Sequence, residues 1–212
     1  MEQKKQKLMI FLAGELQCKT NLLKKLNSEF DYYAADGGYA YAKEFDIPLK
    51  HVLGDFDSGE KPDLSNVLVY PSEKDETDAE LALRLAIKEE YNEIWLIAPF
   101  GGRLDHTVAN LSLLETAKRA GVSLKLYDGK NLTYLLEQGT RIIQKYQYVS
   151  FFPWDQTATL SLKGFKYPLD RYYLTRSKPI GISNEPLRDL SAVEVHNGTV
   201  LCICVENDQE DL

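Results

Sequence analysis

Residues 77–106 read TDAELALRLAIKEEYNEIWLIAPFGGRLDH, and this stretch decides the fold class. A helical pattern at 77–90 leads into an apolar, strand-like run that ends in a glycine turn, and a second helical pattern follows at 104–121. The same alternation extends from residue 8 to about residue 127. Strands that alternate with helices form a mainly parallel sheet covered on both faces. We therefore predict an α/β domain over residues 1–130, with its first helix around Lys19 to Ser28.

The second half of the chain has a different rhythm. After about Leu132 the helical period gives way to alternating apolar and polar residues separated by turn residues. This pattern is typical of an antiparallel β-sandwich or barrel, which we predict for residues 131–212, with the linker somewhere in 127–140. Asn197-Gly198 lies between two alternating runs and predicts a β-hairpin.

Composition excludes several classes of function. The chain has 212 residues and a formal net charge of −7, which argues against a nucleic-acid-binding surface. No apolar run approaches the ~20 residues of a membrane-spanning helix, and the apolar stretch Leu8 to Ala13 is too short for a signal peptide. We predict that Cys18, Cys202 and Cys204 are buried thiols in a reducing compartment. Together with the net charge and the short apolar runs, this predicts a cytoplasmic protein that binds neither nucleic acid nor membrane.

Polar residues gather where the predicted strands end. Four such segments are ADGG at 35–38, GDFDS at 54–58, SEKDETD at 72–78 and FGGRLDH at 100–106. Ligands of open α/β sheets bind beyond the carboxyl ends of the strands, so all four segments should lie on one rim. The sequence therefore predicts a binding site at that rim.

Three aspartates on this rim are candidate metal ligands. Asp55 and Asp57 are two residues apart on extended backbone and point the same way, so both can contact one ion. Asp78 follows Thr77 in a capping box, TDAE, which fixes it in the first turn of a helix. Such hard oxygen donors suit Mg²⁺. The alternatives are a solvated turn for Asp55 and Asp57, and an interaction with the helix dipole alone for Asp78.

The segment GGRLDH has the features of a phosphate-binding loop. Gly101 and Gly102 allow backbone N–H groups to approach a ligand, and a helix N-terminus follows. Arg103 can bind phosphate oxygens with two N–H groups. Asp105 is either part of this loop or a helix cap, and His106 is either a general base or a structural residue.

Taken in order, six motifs resemble the thiamin pyrophosphokinase family over nearly the whole chain. They are DGG at 36–38, GDFDS at 54–58, DETD at 75–78, GGRLDH at 101–106, LKGFKYPL at 162–169 and GISNE at 181–185. Each motif is weak alone, but the ordered set is highly specific. The resemblance implies transfer of a diphosphoryl group from ATP to the hydroxyl of thiamin, with Mg²⁺ bound and AMP released.

The resemblance also implies roles for individual residues. The catalytic set is Asp36, Asp55, Asp57, Asp78 and Arg103, of which Asp55, Asp57 and Asp78 bind the metal. ATP would contact Gly101, Gly102, Arg103, Asp105 and Lys74, while thiamin would contact Asp36, Ser183 and Asn184. The N-terminal domain would bind ATP and Mg²⁺. The C-terminal domain would bind thiamin and form a homodimer, with the thiamin site at the subunit interface.

Two other functions are compatible with the residues themselves. One is a different metal-dependent transferase or phosphohydrolase acting on a nucleotide or sugar nucleotide. The other is a nucleotide-binding module without catalytic activity, in which the aspartates only form turns and caps. The identity of any general base is open between Asp36, Asp78 and none.

Overall fold

In the computed structural model, the chain forms two compact units, Met1–Gly129 and Lys130–Leu212. We call them unit 1 and unit 2. The residues that the structure describes are 6–54, 66–69, 75–144, 146–178, 180–187 and 191–206.

Unit 1 is an α/β unit with a parallel sheet. Its strands are β1 (Lys7–Phe11), β2 (Phe30–Ala35), β3 (His51–Gly54), β4 (Val67–Val69), β5 (Glu93–Ile97) and β6 (Ser123–Tyr127). They lie in the order β4-β3-β2-β1-β5-β6, and every neighbouring pair is parallel. Its helices are α1 (Lys19–Leu23), α2 (Tyr39–Glu44), α3 (Asp78–Lys88) and α4 (Leu104–Arg119). The predicted fold class of this half is confirmed.

Buried apolar residues explain why β1 lies in the middle of the sheet and how α3 packs on it. Leu8–Phe11 of β1 are all fully buried, and because successive strand residues point to opposite faces, both faces of the sheet are covered there. Helix α3 buries Ala79, Ala82, Leu83 and Ala86, which are spaced as one helical face. The core of unit 1 therefore lies between the sheet and its helices.

Unit 2 consists of two antiparallel sheets. Its strands are β7 (Asn131–Leu136), β8 (Gly139–Ile143), β9 (Tyr148–Pro153), β10 (Thr157–Lys163), β11 (Leu169–Thr175), β12 (Ser191–Asn197) and β13 (Val200–Val205). One sheet contains β7-β13-β9 and the other β11-β10-β12-β8. Strands β12 and β13 alternate strictly between buried and less buried residues, as expected when each sheet turns one face to a shared core.

The predicted hairpin at Asn197-Gly198 is wrong. Strand β12 pairs with β10 and β8, whereas β13 pairs with β7 and β9, so the turn carries the chain from one sheet to the other. A turn that needs glycine is present at this position, because Gly198 has φ +75°. A Cβ atom there would lie 2.7 Å from the carbonyl oxygen of Thr157. An Asn-Gly pair fixes the local turn and does not fix which strands pair.

The extent of the first helix also differs from the sequence-based expectation. Helix α1 ends at Leu23 and does not continue to Ser28. The Asn27 side chain bonds the Lys25 carbonyl oxygen and the Glu29 N–H, and this local arrangement competes with a helix. The boundary between the two units, at Gly129 and Lys130, falls within the 127–140 stretch expected to contain the linker, and β7 and β8 occupy 131–136 and 139–143.

The cysteines follow the prediction only in part. Cys202 and Cys204 are fully buried free thiols on one face of β13, with their Sγ atoms 3.8 Å apart, but Cys18 is only half-buried. Burial raises the pKa of the Cys202 thiol. Across the described residues, no helix is both long enough and apolar enough to span a membrane.

Candidate active site

A cavity of about 420 Å³ opens at the carboxyl ends of the unit 1 strands. Its walls come from the exits of β1, β2 and β5 and from the first turns of α3 and α4. The lining residues are Leu12, Ala13, Gly14, Ala35, Asp36, Glu76, Thr77, Asp78, Ala79, Pro99, Gly101, Gly102, Arg103, His106 and Asn110. Such a volume lies within the range of small-molecule binding sites.

The exits of β1 and β5 are tied together by their backbones. The N–H groups of Gly14 and Glu15 donate to the carbonyl oxygens of Ala98 and Phe100, over 3.1 and 2.6 Å. The Tyr41 hydroxyl donates to the Gly14 carbonyl oxygen over 2.9 Å. One wall of the cavity is thus built from main chain fixed on both sides.

Asp36 stands directly after β2 in a short 3₁₀ turn, Asp36–Gly38. Its φ of +47° lies in the left-handed region, which non-glycine residues seldom occupy. Backbone strain of this kind is often found at functional sites. The turn directs the chain into α2 and leaves Asp36 on the cavity wall.

Helix α3 begins at the cavity with the predicted cap. The Thr77 hydroxyl accepts a hydrogen bond from the Glu80 N–H over 3.2 Å. The Glu80 carboxylate accepts from the Arg84 guanidinium, 2.8 Å away, one helical turn further on. Asp78 therefore lies in the first turn of α3, where the helix dipole favours a negative charge.

The glycine loop before α4 has the conformation that its sequence predicts. Gly101 and Gly102 both have positive φ, +101° and +64°, so the loop needs glycine at these positions. Arg103 follows as the N-cap residue, and its guanidinium binds Asp105 through Nη2–Oδ2 at 2.5 Å and Nε–Oδ1 at 3.1 Å. This hydrogen bonding lowers the pKa of the Asp105 carboxyl to about 2. Arg103 is mostly exposed, so it can reach a ligand in the cavity.

Five of the predicted site residues lie around this one cavity: Asp36, Asp78, Gly101, Gly102 and Arg103. Asp105 is next to it and bound to Arg103. Asp55, Asp57 and Lys74 lie outside the described residues, so the predicted aspartate set is seen only at Asp78. Within the described ranges, no three Asp, Glu, His or Cys side chains form a metal-binding group.

Ser183 and Asn184, predicted to contact thiamin, belong to unit 2. Ser183 is exposed with φ +53°, and its N–H donates to Ser150 Oγ over 3.0 Å. Asn184 is buried, and its amide bonds both the N–H and the carbonyl oxygen of Tyr167, at 3.1 and 2.8 Å. Asn184 therefore holds its own segment in place, and Ser183 is the more accessible member of the pair.

Sequence reasoning missed several residues that line the cavity. Leu12–Gly14 lie at the exit of β1, where no polar motif marks them as part of a site. Asn110 was overlooked, although it lies seven residues after Arg103 and so shares a face of α4 with it. That helical spacing is the signal that could have revealed it.

Comparison with known proteins identifies both units. The model of the thiamin pyrophosphokinase catalytic domain matches residues 23–126, and that of the thiamin pyrophosphokinase vitamin B1 binding domain matches residues 137–201. A thiamine pyrophosphokinase from Bacillus subtilis (strain 168) is 31% identical over 168 residues, which cover 74% of this chain and 78% of that protein.

Solved structures agree with this assignment. A crystal structure of thiamine pyrophosphokinase from Bacillus subtilis has a TM-score of 0.87 at 25% identity, over 95% of this chain and 100% of that chain. One of thiamin pyrophosphokinase from Geobacillus thermodenitrificans has a TM-score of 0.84 at 28% identity, over 96% and 99%. The resemblance noted from six short motifs thus extends to both units, and the chain belongs to the thiamin pyrophosphokinase family.

Proposed function

We infer that this chain is an ATP:thiamin diphosphotransferase, an enzyme that makes thiamin diphosphate and AMP from thiamin and ATP. The observation that carries this conclusion is that both domain models of the family match, one within each unit. The cavity in unit 1 adds physical support, because it combines a glycine loop, an arginine and carboxylates.

The polyphosphate of ATP would bind at the start of α4. The backbone N–H groups of Gly101 and Gly102 and the helix N-terminus attract anions. Arg103 adds a permanent positive charge whose planar N–H groups match phosphate oxygens. Asp105, bound to Arg103, orients that guanidinium and is an indirect part of the nucleotide site.

The carboxylates that line the cavity are of the type that binds magnesium. Asp36 and Asp78 both offer hard oxygen donors there, and no thiol lines the cavity. We propose that Asp78 binds the ion together with Asp55 and Asp57. The bound ion would neutralise phosphate charge and make the β-phosphorus more electrophilic.

The transfer itself requires positioning more than covalent catalysis. The thiamin hydroxyl oxygen bonds to the β-phosphorus, the bond from that phosphorus to the α,β-bridging oxygen breaks, and AMP leaves with that oxygen. Arg103 and the loop N–H groups stabilise the charge on the phosphate oxygens. The hydroxyl proton passes to Asp36, to Asp78 or to water.

We propose that the thiamin-binding site is completed by a second copy of the chain, in a homodimer. Exposed apolar side chains flank Ser183 in unit 2: Ile180, Ile182 and Leu187 are 43%, 47% and 62% exposed. A cluster of this kind suits an interface between protein surfaces. Sedimentation of the purified chain should give a dimer mass, and Ile182→Asp should shift it toward the monomer.

A cytoplasmic location also belongs to this proposal. Cys202 and Cys204 are free thiols, as expected in a reducing compartment. Fractionation of cells that express the chain would test the location.

Product analysis tests the function directly. The purified chain, thiamin, ATP and Mg²⁺ should yield AMP and thiamin diphosphate in equal amounts, and a chelator should stop the reaction. Appearance of ADP and thiamin monophosphate would show single phosphoryl transfer and contradict the proposal.

A further inference from the structure

The cavity contains one buried side chain with an unused hydrogen-bonding atom. Asn110 of α4 is only 8% exposed and lines the cavity. Its Nδ2 donates to the carbonyl oxygen of Pro99 over 2.7 Å. In the described part of the chain, this is the one hydrogen bond of the Asn110 side chain.

The orientation of this amide follows from its partner. A carbonyl oxygen only accepts hydrogen bonds, so the NH₂ group of Asn110 must face Pro99 and the Oδ1 atom must point away from it. Oδ1 is not sealed in the protein, because the one fully enclosed, unpartnered side-chain N or O atom among the described residues is Nδ1 of His51. The Oδ1 acceptor is therefore accessible from the cavity that Asn110 lines.

The lining of the cavity and the position of Asn110 on α4 indicate which part of a ligand Asn110 meets. Leu12, Ala13, Ala35, Ala79 and Pro99 give the cavity apolar walls, which suit a flat ring better than a phosphate. Asn110 also lies seven residues beyond Arg103 on α4, which corresponds to roughly 10 Å along the helix. A ligand with its phosphates at Arg103 would thus place a non-phosphate group near Asn110.

We propose that Oδ1 of Asn110 accepts a hydrogen bond from the exocyclic amino group of a bound substrate. The proposal rests on the proposed function, because both substrates of that reaction contain an aminopyrimidine ring: adenine carries one amino group and thiamin carries another. An amide oxygen with its NH₂ group held elsewhere favours an amino donor and disfavours an oxo group at the same position.

Analogues in which an oxo group replaces the amino group test this assignment. Inosine triphosphate replaces ATP in one arm, and oxythiamin replaces thiamin in the other, with kcat/KM measured for each. Wild-type enzyme should prefer the amino substrate in at least one arm, and Asn110→Ala should reduce that preference by about tenfold. The arm that responds identifies the substrate.

Asn21→Ala is the matched control. Asn21 is also buried and donates through Nδ2 to a backbone carbonyl oxygen, that of Gly129, over 3.0 Å, but it does not line the cavity. This variant should keep both wild-type preferences. Asn110→Ser is the substitute if the alanine variant does not fold, and it should also reduce the preference.

Unchanged preferences in Asn110→Ala, or equal losses in Asn21→Ala, would overturn the inference. A wild-type enzyme without preference in either arm would do the same. The proposed function is judged separately, by whether wild-type enzyme forms AMP and thiamin diphosphate at all. Calorimetric binding of the four compounds provides a second readout that does not need turnover.

Discussion

The two ends of the parallel sheet in unit 1 both carry charged side chains, but they use them differently. At the amino ends of β2 and β3, the side chains bind one another. The Glu89 carboxylate accepts hydrogen bonds from Tyr33 and Lys50, each over 2.7 Å, and pairs with His51 at 3.0 Å. Lys50 also donates to the Tyr91 hydroxyl over 3.0 Å, and that hydroxyl donates to Asp31.

The carboxyl-end rim has the opposite character. Arg103 and Asp105 are 72% and 63% exposed, Asp36 is held with positive φ, and Asn110, which lines the cavity, bonds a backbone carbonyl oxygen through its Nδ2 atom. Charged side chains that pair with one another rigidify a fold, whereas accessible charges and strain leave groups for a ligand to use. The comparison teaches that the amino end serves stability and the carboxyl end serves function.

The largest expected effect is on activity at the carboxyl end. Arg103→Ala should lower kcat by about a hundredfold, because it removes a charge that stabilises the transferred group. Its stability should stay close to wild type, since the side chain is 72% exposed. Arg119→Ala, an exposed arginine at the other end of α4, is the control and should retain full activity. Equal losses in both variants would remove the distinction between the two ends.

At the amino end, replacing a charged side chain with alanine should lower stability and leave activity unchanged. Glu89→Ala removes the acceptor shared by Tyr33, Lys50 and His51, and should lower the free energy of unfolding by about 2–3 kcal/mol. Turnover of the folded fraction should be unchanged. Glu44→Ala, which breaks an exposed pair with Lys19, should cost less than about 0.5 kcal/mol in denaturant titrations. A catalytic defect in folded Glu89→Ala would contradict the division.

Acid should reveal the same network. Burial alone raises the pKa of the Glu89 carboxyl, but hydrogen bonds from Lys50, Tyr33 and His51 outweigh it and lower the pKa from 4.5 to about 2. Because the folded-state pKa is depressed, the stabilisation is fully present above pH 4.5 and is lost as the pH falls toward 2. Unfolding curves should therefore show wild type converging on Glu89→Gln in this interval. A constant difference between them would exclude a role for this carboxylate.

The smallest effect is expected at Thr77, which contributes to the stability of α3 and also to the cavity. Thr77 caps α3 and lines the cavity, so Thr77→Ala should cost about 1 kcal/mol of stability. Thr116→Ala, within α4, should be neutral or slightly stabilising because alanine favours a helix. Thermal unfolding of both variants measures the difference, and equal stabilities would mean that the cap contributes nothing.

Local patterns predicted most of unit 1. The alternation of strands and helices, the Thr77 cap and the glycine loop each depend on residues close in sequence. The pairing of β12 and β13 was mispredicted, because an Asn-Gly turn specifies backbone geometry but not the partner strands. Unit 2 depends on such long-range pairings throughout.

The same limit explains what was missed in unit 1. The Glu89 network joins residues as far apart as Tyr33 and Tyr91, which no sequence motif connects. In the sequence, Asn110 is an ordinary helical residue, and only the structure shows that its Nδ2 atom donates to the Pro99 carbonyl oxygen. Spacing alone predicts the face of a helix but not the atom that remains open.

Hydrogen exchange with and without ATP and Mg²⁺ tests the central claim most directly. Binding should slow exchange in the segments at the carboxyl end, 35–39, 76–80 and 99–107, and leave the amino-end segments around Asp31, His51 and Tyr91 unchanged. Protection confined to the amino end, or no protection at 99–107 at saturating nucleotide, would contradict the account.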